Sequence, residues 1–176
     1  LTGDAAQYGV GVMHAIQLAV DEVNAAGGVN GNKLKLVFED DEADSGDKAV
    51  NAYNALKDKG MQIFLGTVTT GSCLAVTDKS YQDKIFQFTP SASAQDVIAN
   101  DNCFQICFTD PNQGKASADY IADNKIATKI GVIYDSSDAY SSGIYNAFKT
   151  EAATKVLNLF QSSHSQRTAR QTSQLR

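Results

Sequence analysis

Apolar residues recur at Val12, Ala15, Ile16, Ala19, Val20 and Val23, the spacing of one helical face, and predict a helix over 9–26. Gly27-Gly28 stops it and Asn30-Gly31 makes a turn. The alternation Lys33-Leu34-Lys35-Leu36 ahead of Val37 and Phe38 predicts a strand with one wetter face. Helical spacing returns over 47–59, with Ala49, Ala52, Tyr53 and Leu56 inward and Gly60 as the stop. Beyond it the pattern predicts a strand at 62–65, a helix through Leu74 to Tyr81, a strand at 85–89 and one helical turn near 96–99. A strand at 104–108 and a helix at 111–124, opened by Pro111, come next. Lys129-Ile130-Gly131-Val132-Ile133-Tyr134 is the clearest buried strand, followed by a helix over 141–155 and a short strand at 156–160. Strands alternating with helices predict an α/β chain with a mainly parallel sheet covered on both faces, a three-layer sandwich.

Two polar clusters sit directly behind apolar runs. Thr69-Thr70-Gly71-Ser72 follows Ile63-Phe64-Leu65, and Pro90-Ser91-Ala92-Ser93 follows Ile85-Phe86-Gln87-Phe88. The carboxyl ends of neighbouring parallel strands share one edge, so these hydroxyls are expected to converge on one crevice. Free N–H groups and hydroxyls at a helix start suit an anion such as a carboxylate, although Ser and Thr are also ordinary N-caps. Tyr8, ahead of the first helix, and Tyr140, ahead of the last, could each lay a ring over a ligand or simply pack.

Little else in the chain carries chemistry. With only His14 and His164, a catalytic or metal-bound histidine is improbable, and no acid–base or thiol–imidazole pair stands out. Asp40-Asp41-Glu42 with Asp44 lacks the spacing of a calcium loop and reads as a solvated turn. Gly9-Val10-Gly11 lacks the third glycine of a dinucleotide fingerprint. The expectation is a binder, not an enzyme, with no cofactor and no metal. A formal charge of −5 over 176 residues without a basic stripe argues against nucleic acid, and no apolar run is long enough to insert into a membrane. Cys103 and Cys107, about 13 Å apart at strand rise, are too distant to pair with each other. Cys73 could pair with either in an oxidising setting, and three buried thiols is the alternative.

The end of the chain departs from the rest. All three arginines, Arg167, Arg170 and Arg176, fall in the last ten residues, and from Gln161 onward only Ala169 and Leu175 are apolar. Such a segment buries no face, so 161–176 is expected to be disordered. A neighbouring reading frame across Ser165 to Gln174 spells ordinary protein, which suggests a frameshifted tail; a natural low-complexity tail is the alternative.

Gln7-Tyr8-Gly9, then Asp21-Glu22-Val23-Asn24-Ala25-Ala26-Gly27-Gly28-Val29-Asn30-Gly31, then Glu39-Asp40-Asp41 together resemble one family. It is the type I periplasmic binding proteins, in the branched-chain amino acid (Leu/Ile/Val) receptor group of ABC transporters. The resemblance continues through Gly66, Thr70 to Ser72, Thr89 to Ser93, Asp110, Gln113-Gly114 and Tyr140, covering about residues 2 to 160. It implies a bilobal α/β receptor that closes on its ligand by hinge bending. By position, Thr70 would contact the ligand's α-carboxylate, with Ser72 beside it. Ser91, Ala92 and Ser93 would grip the amino and carboxylate groups, and Tyr8 and Tyr140 would be aromatics from the two lobes.

The resemblance also implies an incomplete fold. A central strand would end just before Leu1, and most of the second lobe would follow Phe160. The expected division is a first lobe over 1–120, the start of a second over 121–160, and the tail. A disulfide that family members often place between the regions of Ala43 and Thr69 has no cysteine at either position. The implied role is an extracellular or periplasmic solute-binding receptor of an ABC importer, with lipid anchoring left open. It would take an amino acid or related small polar ligand and partner an ABC permease. A ligand-binding domain of a membrane sensor is the alternative, and a flavodoxin-like enzyme a more distant one.

Overall fold

The computed structural model describes residues 1–43 and 46–165. Their contacts divide the chain into two compact units, Leu1–Phe108 and a second from Thr109 onward. The helix predicted at 111–124 therefore belongs with the second unit. Its reason is packing: this helix lies tightly against the one at Ala139–Thr154. Among the described residues no helix is long and apolar enough to cross a membrane.

In the first unit, α1 (Ala6–Ala25) begins three residues before the predicted start, so Tyr8 lies inside its first turns. The turn that ends α1 needs glycine. Gly28 has φ +84°, and a Cβ there would sit 2.0 Å from the Asn32 carbonyl oxygen. The alternating segment 33–38 is extended but pairs with no strand among the described residues, contrary to the strand expected there. A strand is defined by a partner, and Leu34 finds a side chain instead. The Asn24 amide accepts from the Leu34 N–H at 2.8 Å and donates to its carbonyl at 2.8 Å.

Helix α2 (Asp47–Asp58) leads to β1 (Ile63–Leu65), α3 (Thr70–Gln82), β2 (Phe86–Thr89), a single 3₁₀ turn at Gln95–Ile98 and β3 (Cys103–Gln105). The three strands form a parallel sheet in the order β1-β2-β3, with Leu65 beside Phe88 and Gln87 beside Cys103. Period-2 alternation sends Phe64, Gln87, Thr89 and Cys103 to a buried face. Ala49 and Tyr53 of α2 and Val76 of α3 close over Phe64 and Ile85, and the Tyr53 and Phe64 rings meet edge to face at 5.4 Å. The opposite face, with Ile63, Leu65, Phe86 and Phe104, is exposed, so the expected two-sided cover is seen on one side only. On it the Phe86 and Phe104 rings stack at 5.4 Å.

The second unit contains α4 (Asp110–Asp123), β4 (Lys129–Asp135), α5 (Ala139–Thr154) and β5 (Asn158–Ser165). Thr109 caps α4 by accepting from the Asn112 N–H, and Asp138 caps α5 by accepting from the Ser141 N–H. Ala118, Phe148, Ala152 and Leu157 form its core. Strand β5 runs parallel to β4 with Phe160 as the extra residue of a bulge. Its backbone pairing continues to Ser165, five residues past the predicted end, because strand pairing uses main-chain groups that every residue here possesses. The disorder expected from 161 is corrected to that extent; 166–176 lie outside the described residues.

Candidate functional site

Because β1 and β2 are parallel neighbours, the turns after them leave the sheet at the same edge, and the two hydroxyl clusters meet there. The link is direct. The Ser93 N–H donates to Thr70 Oγ1 at 3.1 Å, tying the loop after β2 to the first residue of α3. Ser91 Oγ donates to the Val68 carbonyl at 2.5 Å, and Thr69 Oγ1 donates to Ser72 Oγ at 3.0 Å. Thr70, Ser72, Ala92 and Ser93 are buried, while Ser91 is exposed.

Pattern reading missed two residues that build this edge. Thr89, at the end of β2, donates to the Thr67 carbonyl at 2.7 Å and accepts from the Ala92 N–H at 3.1 Å, so it shapes both turns at once. Gln87 is fully buried: its amide donates to the Gly66 carbonyl at 3.2 Å, and its oxygen accepts from Ser80 Oγ at 2.6 Å. A glutamine between Phe86 and Phe88, at an inward position of an apolar strand, was the available signal. Buried amides persist only where both ends are satisfied.

The aromatic candidates lie elsewhere in their units. Tyr8 is 63% exposed on α1. Tyr140 sits in the first turn of α5, 41% exposed, and lines a hollow of about 230 Å³ with Val132, Tyr134, Ser141 and Ile144. Tyr134 and Tyr145 stack beside it at 4.0 Å. In the same unit, Asp110 is buried at the start of α4, and a Cβ on Gly143 would meet its carboxylate at 3.2 Å.

The first unit also holds an apolar hollow of about 110 Å³ between α1, Val37-Phe38, α2 and β1. It reaches the hydroxyl edge only at Thr67 to Thr69. Its walls offer Val12, Ile16, Phe38, Leu56 and Phe64, which suit apolar side chains, with Glu39 and Asp41 also on its lining. The hydroxyl edge, with donors and acceptors converging from two turns, is the place that suits a zwitterion.

Several acidic side chains, Glu39, Glu42 and Asp83 among them, are tied up in ion pairs with lysines. Asp40 accepts from the Thr2 N–H and hydroxyl and from the Glu42 N–H. Among the described residues no three His, Cys, Asp or Glu side chains gather as a metal site.

Comparison with known proteins gives a consistent result. A model of the periplasmic binding protein family matches residues 1–175. The Leu/Ile/Val-binding protein homolog 3 of Brucella melitensis is 36% identical over 151 residues, 85% of this chain and 40% of that protein. The Leu/Ile/Val-binding protein BraC3 of Rhizobium johnstonii is 33% identical over 164 residues, 90% of this chain and 44% of that protein. Among solved structures, the branched-chain amino acid transporter substrate binding protein LivJ from Streptococcus pneumoniae, in complex with isoleucine, superposes with a TM-score of 0.86 at 25% identity. That match covers 96% of this chain and 48% of LivJ. The chain thus spans less than half the length of the relatives it matches.

Proposed function

Since this chain belongs to the periplasmic binding protein family, we propose that it forms part of an extracytoplasmic receptor that captures an amino acid or a related small polar ligand for an ABC permease. The family is one of solute-binding proteins and implies an extracellular or periplasmic location. On this reading the subunit makes and breaks no bond. The chain comprises most of a first lobe and the opening of a second.

The observation that carries the reading is the Ser93 N–H to Thr70 Oγ1 hydrogen bond. A hydroxyl that accepts one bond keeps its proton to give, so Thr70 is set to donate to a ligand carboxylate. The first turn of α3, whose N–H groups have no intrahelical acceptors and whose dipole favours negative charge, lies beside it. Ser91 has the opposite polarity. Its proton is committed to the Val68 carbonyl, which leaves its exposed oxygen to accept from an ammonium group. Donors for one end of a zwitterion and an acceptor for the other thus come from consecutive turns. Ser72, Ala92 and Ser93 serve by shaping these turns, while Tyr8 and Tyr140 enter the proposal from their sequence positions alone.

Thermal-shift measurements on the full-length protein, against amino acids, their amides, short peptides and nucleotides, test this. An amino acid is expected to raise the melting temperature. Stabilisation by a nucleotide with none by any amino acid would overturn the assignment.

A further inference from the structure

We infer that Cys73 and Cys103 form a disulfide, joining the first turns of α3 to β3, when the chain matures in an oxidising compartment. Strand register and a side-chain contact place the two sulfurs together. Gln87 and Cys103 are register partners across β2 and β3, so their backbones lie about 4.8 Å apart and their side chains share the buried face. The Gln87 amide nitrogen reaches Cys73 Sγ at 3.2 Å from that face. Cys103 is also the neighbour that most perturbs the Cys73 thiol. Both residues are thiols in this structure and both are buried, Cys73 completely and Cys103 to within 3%.

The alternative partner is placed differently. Cys107 lies beyond the end of β3, where its sulfur contacts the Ala92 carbonyl at 3.5 Å and the Gln105 amide at 3.9 Å. In the folded chain the bond between the two thiols favours the charged form of Cys73, while burial and that same bond push Cys103 up. With glutathione disulfide as oxidant, the thiolate of one cysteine attacks one of its sulfurs and expels a glutathione thiolate. The other cysteine then loses its proton and attacks the protein sulfur of the mixed disulfide, expelling the second. Two protein thiols are oxidised by two electrons, and one glutathione disulfide becomes two glutathiones. Because the folded thiols are shielded, this exchange belongs to the folding chain.

The consequence concerns the proposed site. The bond would pin α3 one residue after Ser72 and three after Thr70, holding the hydroxyl edge in place before any ligand arrives. The inference rests on the extracytoplasmic location that the family implies, but its test needs no ligand.

The full chain is refolded in a mixture of oxidised and reduced glutathione, alkylated, digested without reduction and mapped by mass spectrometry. The expected product is a Cys73 peptide joined to a Cys103 peptide, with Cys107 alkylated. The bond closes a 30-residue loop (103 − 73), so reduction is expected to lower the melting temperature by about 10 °C. Cys107→Ser should keep that shift and Cys103→Ser should abolish it. Recovery of three alkylated cysteines, a Cys73–Cys107 link, or an equal shift in Cys103→Ser would overturn the inference.

Discussion

Thr70, with Thr89 and Ser91, is one of three residues whose hydroxyls tie the two turns of the proposed site together. Thr70→Val keeps the shape but leaves the buried Ser93 N–H without its acceptor, and an unsatisfied buried donor costs about 1–3 kcal/mol. Thr70→Ser retains the oxygen and should cost much less. Urea unfolding of the two variants checks this, and equal losses would show that the hydroxyl does not carry the link. A second residue-scale prediction concerns pH. Lys57 bonds Asp83 and holds its carboxyl below the ordinary value, with Tyr53 adding to this by donating to Asp83 at 3.0 Å. Burial, that bond and the Asp83 charge raise the Tyr53 phenol above its ordinary 10.0. A raised folded value contributes stability that is present below pH 10 and lost as pH rises through it. The lowered carboxyl contributes stability that is present above about pH 4 and lost as pH falls. The stability difference between the native chain and Tyr53→Phe should therefore stay level from pH 5 to 9 and shrink above 10. A difference that widened above pH 10 would contradict the assignment.

Among the elements, α4 and α5 pack so closely that one hydrogen atom matters. A Cβ on Gly114 would stand 2.3 Å from the Ile144 carbonyl oxygen and 2.7 Å from the Phe148 nitrogen, both backbone atoms that cannot step aside. Gly114→Ala is expected to cost about 1–3 kcal/mol by forcing the helices apart. Gly11→Ala, on α1 with nothing within 4 Å, should instead gain about 0.5–1 kcal/mol. Melts followed by circular dichroism compare the pair, and like signs would refute the packing argument. The exposed sheet face makes another prediction at this scale. Ile63, Leu65 and the stacked Phe86 and Phe104 present adjoining apolar surface, the kind that drives association. Phe104→Ser should lower self-association in sedimentation velocity without reducing helix content. Periodicity made most of these elements legible, since a helix carries its hydrogen bonds within itself and a buried strand betrays itself by apolar runs. The segment 33–38 pairs with no strand among the described residues: its alternation describes a face, whereas a strand also needs a neighbour. The roles of Gln87 and Thr89 are not legible in the sequence, because a polar residue in or at the end of an apolar run reveals its partners only in three dimensions.

For the molecule as a whole, the two-unit division and the hydroxyl edge have different origins in the chain. The edge follows from strand order: two consecutive parallel strands must release their turns side by side, and Thr70 with Ser91 to Ser93 could be assigned there from sequence. The division into units goes with the packing between α4 and α5, through Gly114 and Gly143, and begins at Thr109, in the run 109–114 where the sequence suggests a change of sheet. The edge in the first unit is proposed to recognise the two charged ends of an amino acid. A nitrogen–proton correlation NMR titration of this chain with leucine and isoleucine tests it most directly, because weak binding suffices for a readout. The account predicts saturable shifts concentrated at the amides of Thr70, Gly71, Ser91 and Ser93. Amides that stay still there, or shifts gathered around the apolar hollow at Val12, Phe38 and Leu56, would contradict it.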